Sequence, residues 1–139
     1  MFNVLNEVNW LIILLESVMY FILGAVWFTP LFGKAYDIGT GVKRSSKQKW
    51  PAIYYYAPFL SSLVVSVAIG ITLYAMKVQS LTDAVALGLL FGIGLGAISL
   101  SNAVTPNMPR PVIFGLVVGS YHLVSAVIVA AIIYTLAIQ

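Results

Sequence analysis

Four apolar runs, each about twenty residues or longer, are separated by polar breaks and take up nearly all of the chain. They predict helices over residues 9–28, 51–76, 83–104 and 112–137. At about 1.5 Å per residue, each is long enough to cross roughly 30 Å of hydrocarbon. The breaks have distinct characters. Thr29-Pro30 ends the first run and opens a glycine-punctuated basic loop that reaches Trp50. Lys77 to Thr82 is a short turnaround; Thr82 is a plausible cap there, and Asp83 sits where an acid favours a helix N-terminus. Thr105 to Pro111, TPNMPRP, cannot continue a helix. The pattern describes an all-α membrane protein, a four-transmembrane-helix bundle forming a single domain over residues 1–139.

Within the runs the polar and small positions recur at helical spacing. In the first, Asn9, Glu16, Tyr20 and Trp27 form one stripe on a helix otherwise filled with Leu, Ile and Val. In the second, Pro58, Ser62, Ser66 and Gly70 fall four apart. The third repeats the device with Ala84, Gly88, Gly92 and Gly96, and Gly94 adds a second small surface. The fourth offers Gly115, Gly119, His122, Ala126 and Ala130. Apolar burial does not drive helices together inside a membrane, so small-residue grooves that admit a neighbouring backbone are expected to hold the bundle. They would also suit oligomerisation or sliding.

Composition agrees with the pattern. Of 139 residues, 61% are hydrophobic and 8% charged, and the mean hydropathy is +1.02; soluble globular chains lie far from this. The absence of cysteine excludes disulfide frameworks and thiolate metal sites. The residues MFNVLNEV ahead of the first run lack the basic region of a secretory signal, so the first helix is expected to be retained.

The net charge of +3 reads as orientation in the membrane, with no role for nucleic acid. Lys34, Lys43, Arg44, Lys47 and Lys49 occupy the first loop and Arg110 the third, leaving Lys77 as the one basic residue elsewhere. By the positive-inside rule the first and third loops face the cytoplasm and both termini face outward, in the cell membrane. So lopsided a distribution argues against dual topology and for a parallel arrangement in any homo-oligomer. The aromatic group Trp50, Tyr54, Tyr55 and Tyr56 has the composition of an interfacial belt.

Glu16 is the residue on which chemistry is expected to turn. A charged acid at the centre of a membrane helix costs about 2.5–3.5 kcal/mol on insertion scales, so it calls for a partner, a proton or a wet cavity. Counting helical rise places it roughly 10 Å from the outer end of its helix. The same count puts His122 roughly 15 Å up from the inner side, and Ser62 and Ser66 about 15–20 Å up. The four share one layer, where they would form an intramembrane polar cluster or stabilise packing by ordinary interhelical hydrogen bonds. Glu16 and His122 are its members able to exchange a proton. Tyr20 and Asn102 are possible pathway lining, with Thr105 and Asn107 near the same mouth as Asn102.

No HExxH motif, nucleophile elbow or group of metal ligands occurs, and one histidine alone builds no zinc site, so no metal or cofactor is expected. The Gly92–Gly94–Gly96 spacing does not follow a strand and has no basic residue beside it, so it is no phosphate loop. SLVVSVAIGITLYA (residues 62–75) and HLVSAVIVAAIIYT (residues 122–135) align in register, which fits two helical hairpins related by a parallel repeat.

The succession Asn9-Trp10, Gly24, Trp27-Phe28-Thr29-Pro30 and Phe32-Gly33-Lys34, with Asp83-Ala84 and Gly119, Tyr121 and His122 further on, resembles the signature of the bacterial domain-of-unknown-function family DUF1761, small four-helix membrane proteins. Phe28 and Tyr36 stand where that family would have tyrosine and tryptophan, and Glu16 lies outside the signature. The resemblance implies fold and membrane location and brings no activity with it. Physically, Trp27, Phe28, Pro30 and Phe32 make a stiff aromatic helix exit, Gly33 turns the chain, and Lys34 reaches headgroups, serving as an interfacial anchor, a gate or a docking surface.

Three functions fit these residues. The first is a small proton-coupled transporter or permeation subunit acting as a homo-oligomer on a proton or small solute. The second is a structural or accessory subunit with neither transport nor catalysis. An enzyme acting on a lipid or quinone, needing Tyr20, His122 and Asn102 to converge, comes last because no basic pair is available inside the membrane to hold a cofactor.

Overall fold

In the computed structural model, which describes residues 2–45 and 49–139, five α-helices form without any strand among the described residues. Lys47, one of the basic loop residues, lies outside the described set. After a 3₁₀ turn at Phe2–Asn6, α1 (Trp10–Val26) starts on an Asn9 cap whose side chain accepts from the Ile12 amide at 3.2 Å. Then come α2 (Gly33–Thr40), α3 (Ile53–Ala75), α4 (Leu81–Ala103) and α5 (Pro111–Ile133). Four stretches are long and apolar enough to cross a membrane: Trp10–Leu31, Ile53–Ala75, Leu81–Ala103 and Pro111–Ile138.

Three local features differ from the sequence-based expectation. Thr29-Pro30 does not end the first helix, because a π-helical turn over Trp27–Leu31 absorbs Pro30 and carries the helix to Leu31. A proline has no N–H to give, and a widened turn removes its clash with the preceding carbonyl; the Thr29 hydroxyl donates to the Ala25 carbonyl there. The basic loop contains a helix, α2, whose end is set by Gly41 in the left-handed region at φ +74°. The cap of α4 is Ser80 rather than Thr82. Its Oγ accepts from the Asp83 amide at 3.0 Å and donates to Asp83 Oδ2 at 2.6 Å, a reciprocal cap.

The spans pack as two hairpins. α1 lies on α3 and α4 on α5, and α5 also touches α1 and α3, so α1, α3 and α5 enclose the interior while α4 stands outside on α5. Connectivity sends α1 and α4 one way and α3 and α5 the other. α2 and the α4–α5 loop therefore share one end, here the basic end, and both termini share the other.

Glycines set the α4–α5 spacing. A Cβ on Gly88 would lie 2.8 Å from Val127 Cα, and one on Gly92 2.7 Å from Leu123 Cα, whereas Gly96 and Gly119 face each other at ordinary contact distance. Gly94 meets nothing within 4 Å and provides no second packing surface. His122 leaves the Gly115–Ala130 row: Leu123, not His122, faces Gly92, and the His122 ring turns toward α1.

Burial is inverted relative to a water-soluble bundle. Leu11, Leu15, Ile22, Leu60, Val64, Leu90, Ile93 and Leu116 face outward, while Glu16, Ser17, Ser62, Ser66, Ser99 and Ser125 are buried. An apolar exterior around a partly polar interior suits hydrocarbon as the surrounding solvent. Together with the four spans, this makes the chain a multi-pass membrane protein.

Candidate functional site

The site grows from one close approach. Gly70 of α3 has no side chain, and an added Cβ would lie 2.5 Å from Ile13 Cδ1 and 3.7 Å from Ile133 Cδ1, so α1, α3 and α5 meet at that level. Because α1 runs against the other two, each further turn toward the basic end advances α1 and retreats α3 and α5 by three to four residues. One turn on, Glu16 and Ser17 stand level with Ser66 and Val129. Two turns on come Tyr20, Ser62 and Ser125. Three turns on come Gly24 and Tyr121, and there the register closes: a Cβ on Gly24 would lie 2.8 Å from Tyr121 Oη.

Hydroxyls on these turns divide into two groups. Ser17 donates to the Ile13 carbonyl at 2.8 Å and Ser62 to the Pro58 carbonyl at 2.9 Å, each satisfied within its own helix. Glu16 Oε2 and Ser66 Oγ have no hydrogen-bond partner, although Glu16 and Ser66 are each at least 99% buried, and Ser125, equally buried, has the Tyr121 phenol as its neighbour. Such unmet polar atoms are uncommon in a folded interior and call for a ligand, a water or a functional reason. Glu16 and Ser125 line one pocket of about 100 Å³ between α1 and α5 with Tyr20, Met19, Leu23, Ile128 and Val129. Met19 and Ile128, both exposed, stand at its rim.

Tyr20 joins this pocket to His122: the phenol oxygen and His122 Nδ1 share a hydrogen bond at 2.8 Å. Tyr121 donates to the Tyr20 carbonyl at 3.1 Å, and its ring lies 5.4 Å from that of Tyr20. From there an aromatic column descends to the basic end through Tyr121 and Phe28 at 4.9 Å, Phe28 and Tyr36 at 5.1 Å, and Tyr36 and Phe114 at 5.8 Å. Trp27 donates from Nε1 to the Val117 carbonyl and stacks on Phe32 at 4.6 Å, pinning the π-helical turn to α5.

Arg44 closes the column. Its Nε pairs with Asp37 Oδ1 at 2.7 Å and its Nη2 donates to the Phe28 carbonyl at 2.9 Å, with the guanidinium 6.0 Å from the Tyr36 ring centre. Burial pushes the Tyr36 phenol above its ordinary value, and the nearby Arg44 charge offsets part of that rise.

Of the residues singled out from sequence, Glu16 and Tyr20 line one pocket, while Ser66 is buried on α3 and does not line it. Ser62, on the same helix, has its hydroxyl already committed to Pro58. His122 reaches the pocket through Tyr20, and no contact joins it to Glu16 itself. Asn102 is exposed near the end of α4, on the helix outside this interior. Gly88, Gly92, Gly96 and Gly119 belong to the α4–α5 contact. Lys34 and Pro30 are exposed, Phe32 is 40% exposed, and Gly33 is buried with the Phe28 carbonyl 3.1 Å from where its Cβ would be.

Ser125 and Tyr121 were missed as site residues. A single serine in an apolar run is a weak signal, yet Tyr121 and Ser125 are one turn apart, on a face that the Gly119–Ala126 row does not include.

A wider concavity, of about 500 Å³, lies where α3 and α4 diverge beside Lys77 and Asp83. Both side chains are exposed, so the smaller pocket with the buried acid is the better candidate. Among the described residues no three His, Cys, Asp or Glu gather to hold a metal ion.

A family model described as "Protein of unknown function (DUF1761)" matches residues 11–134. No curated protein and no solved structure matches the chain. The match takes in all four spans, the aromatic exit of α1 and the polar interior, and the chain therefore belongs to the DUF1761 family.

Proposed function

We infer that the protein is a small proton-coupled transporter or permeation subunit in which Glu16 takes up and releases the proton. It works as a parallel homo-oligomer in the cell membrane, with the basic end on the cytoplasmic side. One observation carries the reading: a carboxyl group within a membrane span is 1% exposed, has an oxygen without a partner, and lines a pocket. Acids at such depth are expensive to keep and belong by default to ion or proton pathways. The Tyr20–His122 hydrogen bond supplies the next donor–acceptor pair toward the basic end. The charge asymmetry supports the sidedness and the parallel assembly. No catalytic step enters this reading.

The experiment is proton flux in proteoliposomes holding a pH-sensitive dye, driven by a valinomycin-set potassium potential. Wild-type protein is expected to acidify or alkalinise the lumen faster than empty vesicles, and Glu16→Gln to abolish the excess. Equal flux through both proteins would remove the reading. The accessory-subunit alternative draws on the outlying position of α4, held almost entirely by α5 and presenting Leu89, Leu90 and Ile93 outward. Co-purification of a stoichiometric membrane partner in mild detergent, without intrinsic proton flux, would favour it.

A further inference from the structure

The pocket between α1 and α5 holds an acid and nothing in the protein to match its charge. Glu16 is 1% exposed, its Oε2 has no hydrogen bond, and the other walls of the pocket are Tyr20, Ser125 and apolar side chains. No lysine or arginine occurs in any of the four spans. Of the titratable groups on the packed elements, Tyr20 of α1 and His122 of α5 engage each other, and the Tyr121 hydroxyl of α5 donates to the Tyr20 carbonyl. α3 has tyrosines at its two ends and no other ionisable residue, and α4, with Asp83 in its first turn, packs on α5. A positive charge for the ionised carboxylate must therefore come with a ligand.

The walls and the opening of the pocket say what else that ligand carries. With its hydroxyl committed to His122, Tyr20 offers aromatic carbon, an attractive neighbour for an ammonium group. Leu23, Ile128 and Val129 accommodate alkyl groups. Met19 and Ile128, at the rim, are 46% and 38% exposed within membrane-spanning segments, so the pocket opens sideways onto hydrocarbon. Its volume of about 100 Å³ is smaller than the roughly 150 Å³ of a cavity that holds benzene. An ammonium head with a few carbons fits, and a longer tail has to leave past the rim. A metal ion would ask for several oxygens here, whereas an alkylammonium brings its own apolar surroundings.

We propose that this pocket binds an organic ammonium ion arriving from the bilayer, with its N–H on the Glu16 carboxylate and its tail passing out between Met19 and Ile128. Binding is an exchange: the Glu16 carboxylic acid releases one proton as the ammonium ion pairs with the carboxylate, and no covalent bond to carbon changes. The inference rests on Glu16 being the proton-handling group and names the class of solute that the proton is exchanged for.

The test is equilibrium dialysis of ¹⁴C-labelled n-hexylamine against the full chain in nanodiscs of phosphatidylcholine and phosphatidylglycerol, which contain no primary amine, with empty nanodiscs subtracted. Saturable binding near one amine per chain is expected, displaced by unlabelled hexylamine and not by n-hexanol. Its apparent affinity should fall roughly tenfold for each pH unit on the acid side, as one-for-one competition with a proton requires. Glu16→Gln should abolish binding, Ile128→Trp at the rim should weaken it roughly tenfold, and Glu7→Gln at the exposed terminus should leave it unchanged. Should Glu16→Gln fail to fold by circular dichroism, the hexanol competition and Ile128→Trp decide. Binding that survives Glu16→Gln, ignores Ile128→Trp or yields equally to hexanol overturns the proposal, and binding that ignores pH overturns the exchange. Phosphatidylethanolamine added to the nanodiscs should not displace hexylamine, because its phosphate would have to follow its ammonium past an apolar rim; displacement would assign the pocket to a lipid headgroup and overturn the free amine. Absence of hexylamine binding in a wild-type protein that still conducts protons through Glu16 overturns the amine site and leaves the proton reading standing.

Discussion

Alanine substitutions along α4 separate backbone packing from helix propensity, because four of its glycines see different surroundings. At Gly88 the new Cβ would sit 2.8 Å from both the Ala126 carbonyl oxygen and Val127 Cα, and at Gly92 2.7 Å from Leu123 Cα. Optimal carbon contacts lie near 3.5–4.0 Å, so α4 must retreat by about 1 Å, and such a gap forfeits a quarter to a half of the dispersion well across the seam. Overpacking of this kind costs about 1–3 kcal/mol. At Gly94 nothing lies within 4 Å, and at Gly96 the nearest atoms are 3.5 Å away, so no comparable strain arises. All four variants gain about 1 kcal/mol of helix propensity, which cancels in the comparison. Gly88→Ala and Gly92→Ala are therefore expected to unfold roughly 1–3 kcal/mol below Gly94→Ala and Gly96→Ala. The assay is SDS titration in mixed micelles followed by far-ultraviolet circular dichroism. A Gly94→Ala protein as unstable as Gly92→Ala would refute the α4–α5 geometry.

Glu16→Met keeps the side-chain length and removes a buried oxygen without a partner, so it should raise stability by about 1–3 kcal/mol in the same titration while abolishing proton flux; a loss of stability would mean that the carboxyl is satisfied in the wild type. Lys77, just past the end of α3, sits at φ +50°, where a side chain is strained, and Lys77→Gly should stabilise by about 1 kcal/mol, read as a raised thermal midpoint. Burial raises the Tyr36 phenol, so the native state holds that proton more tightly than the unfolded chain. Its contribution is complete below the ordinary tyrosine value of about 10 and is lost as pH rises through the higher folded value. Hydrogen exchange of α2 should therefore accelerate at alkaline pH in the wild type and less so in Tyr36→Phe, and equal acceleration would contradict it.

The four spans could be read from hydropathy alone because length and apolarity are sufficient conditions for a membrane helix. The helix α2 could not: GKAYDIGT is short, polar and twice interrupted by glycine, and what holds it is tertiary. Gly39 lets the Phe114 backbone approach to 3.0 Å of its Cβ position, and Arg44 ties Asp37 to the end of the first span. Pro30 shows the opposite failure, a local stop signal overridden because a wider turn and the Thr29 hydroxyl accommodate the missing donor. Ser80-Leu-Thr-Asp83 did contain the capping-box spacing, so the displacement of the cap from Thr82 was readable.

The candidate site was readable in depth and not in azimuth. Counting residues from the helix ends placed Glu16, Ser62, Ser66 and His122 at similar height, but height does not say which side chains face one another. Ile13 seated against Gly70 fixes the rotation of α1, brings Ser125 to the Glu16 pocket, and leaves His122 one side chain away behind Tyr20. The row Gly119, Leu123, Ala126 and Ala130 of α5 packs on α4, which frees Tyr121 and Ser125 to face the polar interior.

Infrared titration of protein carrying ¹³C-labelled glutamate in lipid bilayers, with Glu16→Gln subtracted, observes the decisive group directly. A single carboxyl stretch from a low-polarity setting is expected, converting reversibly to carboxylate as pH rises while the protein stays folded. A Glu16 stretch typical of a water-exposed acid, or one that never converts at any pH the fold survives, would contradict a proton-exchanging acid inside the bundle.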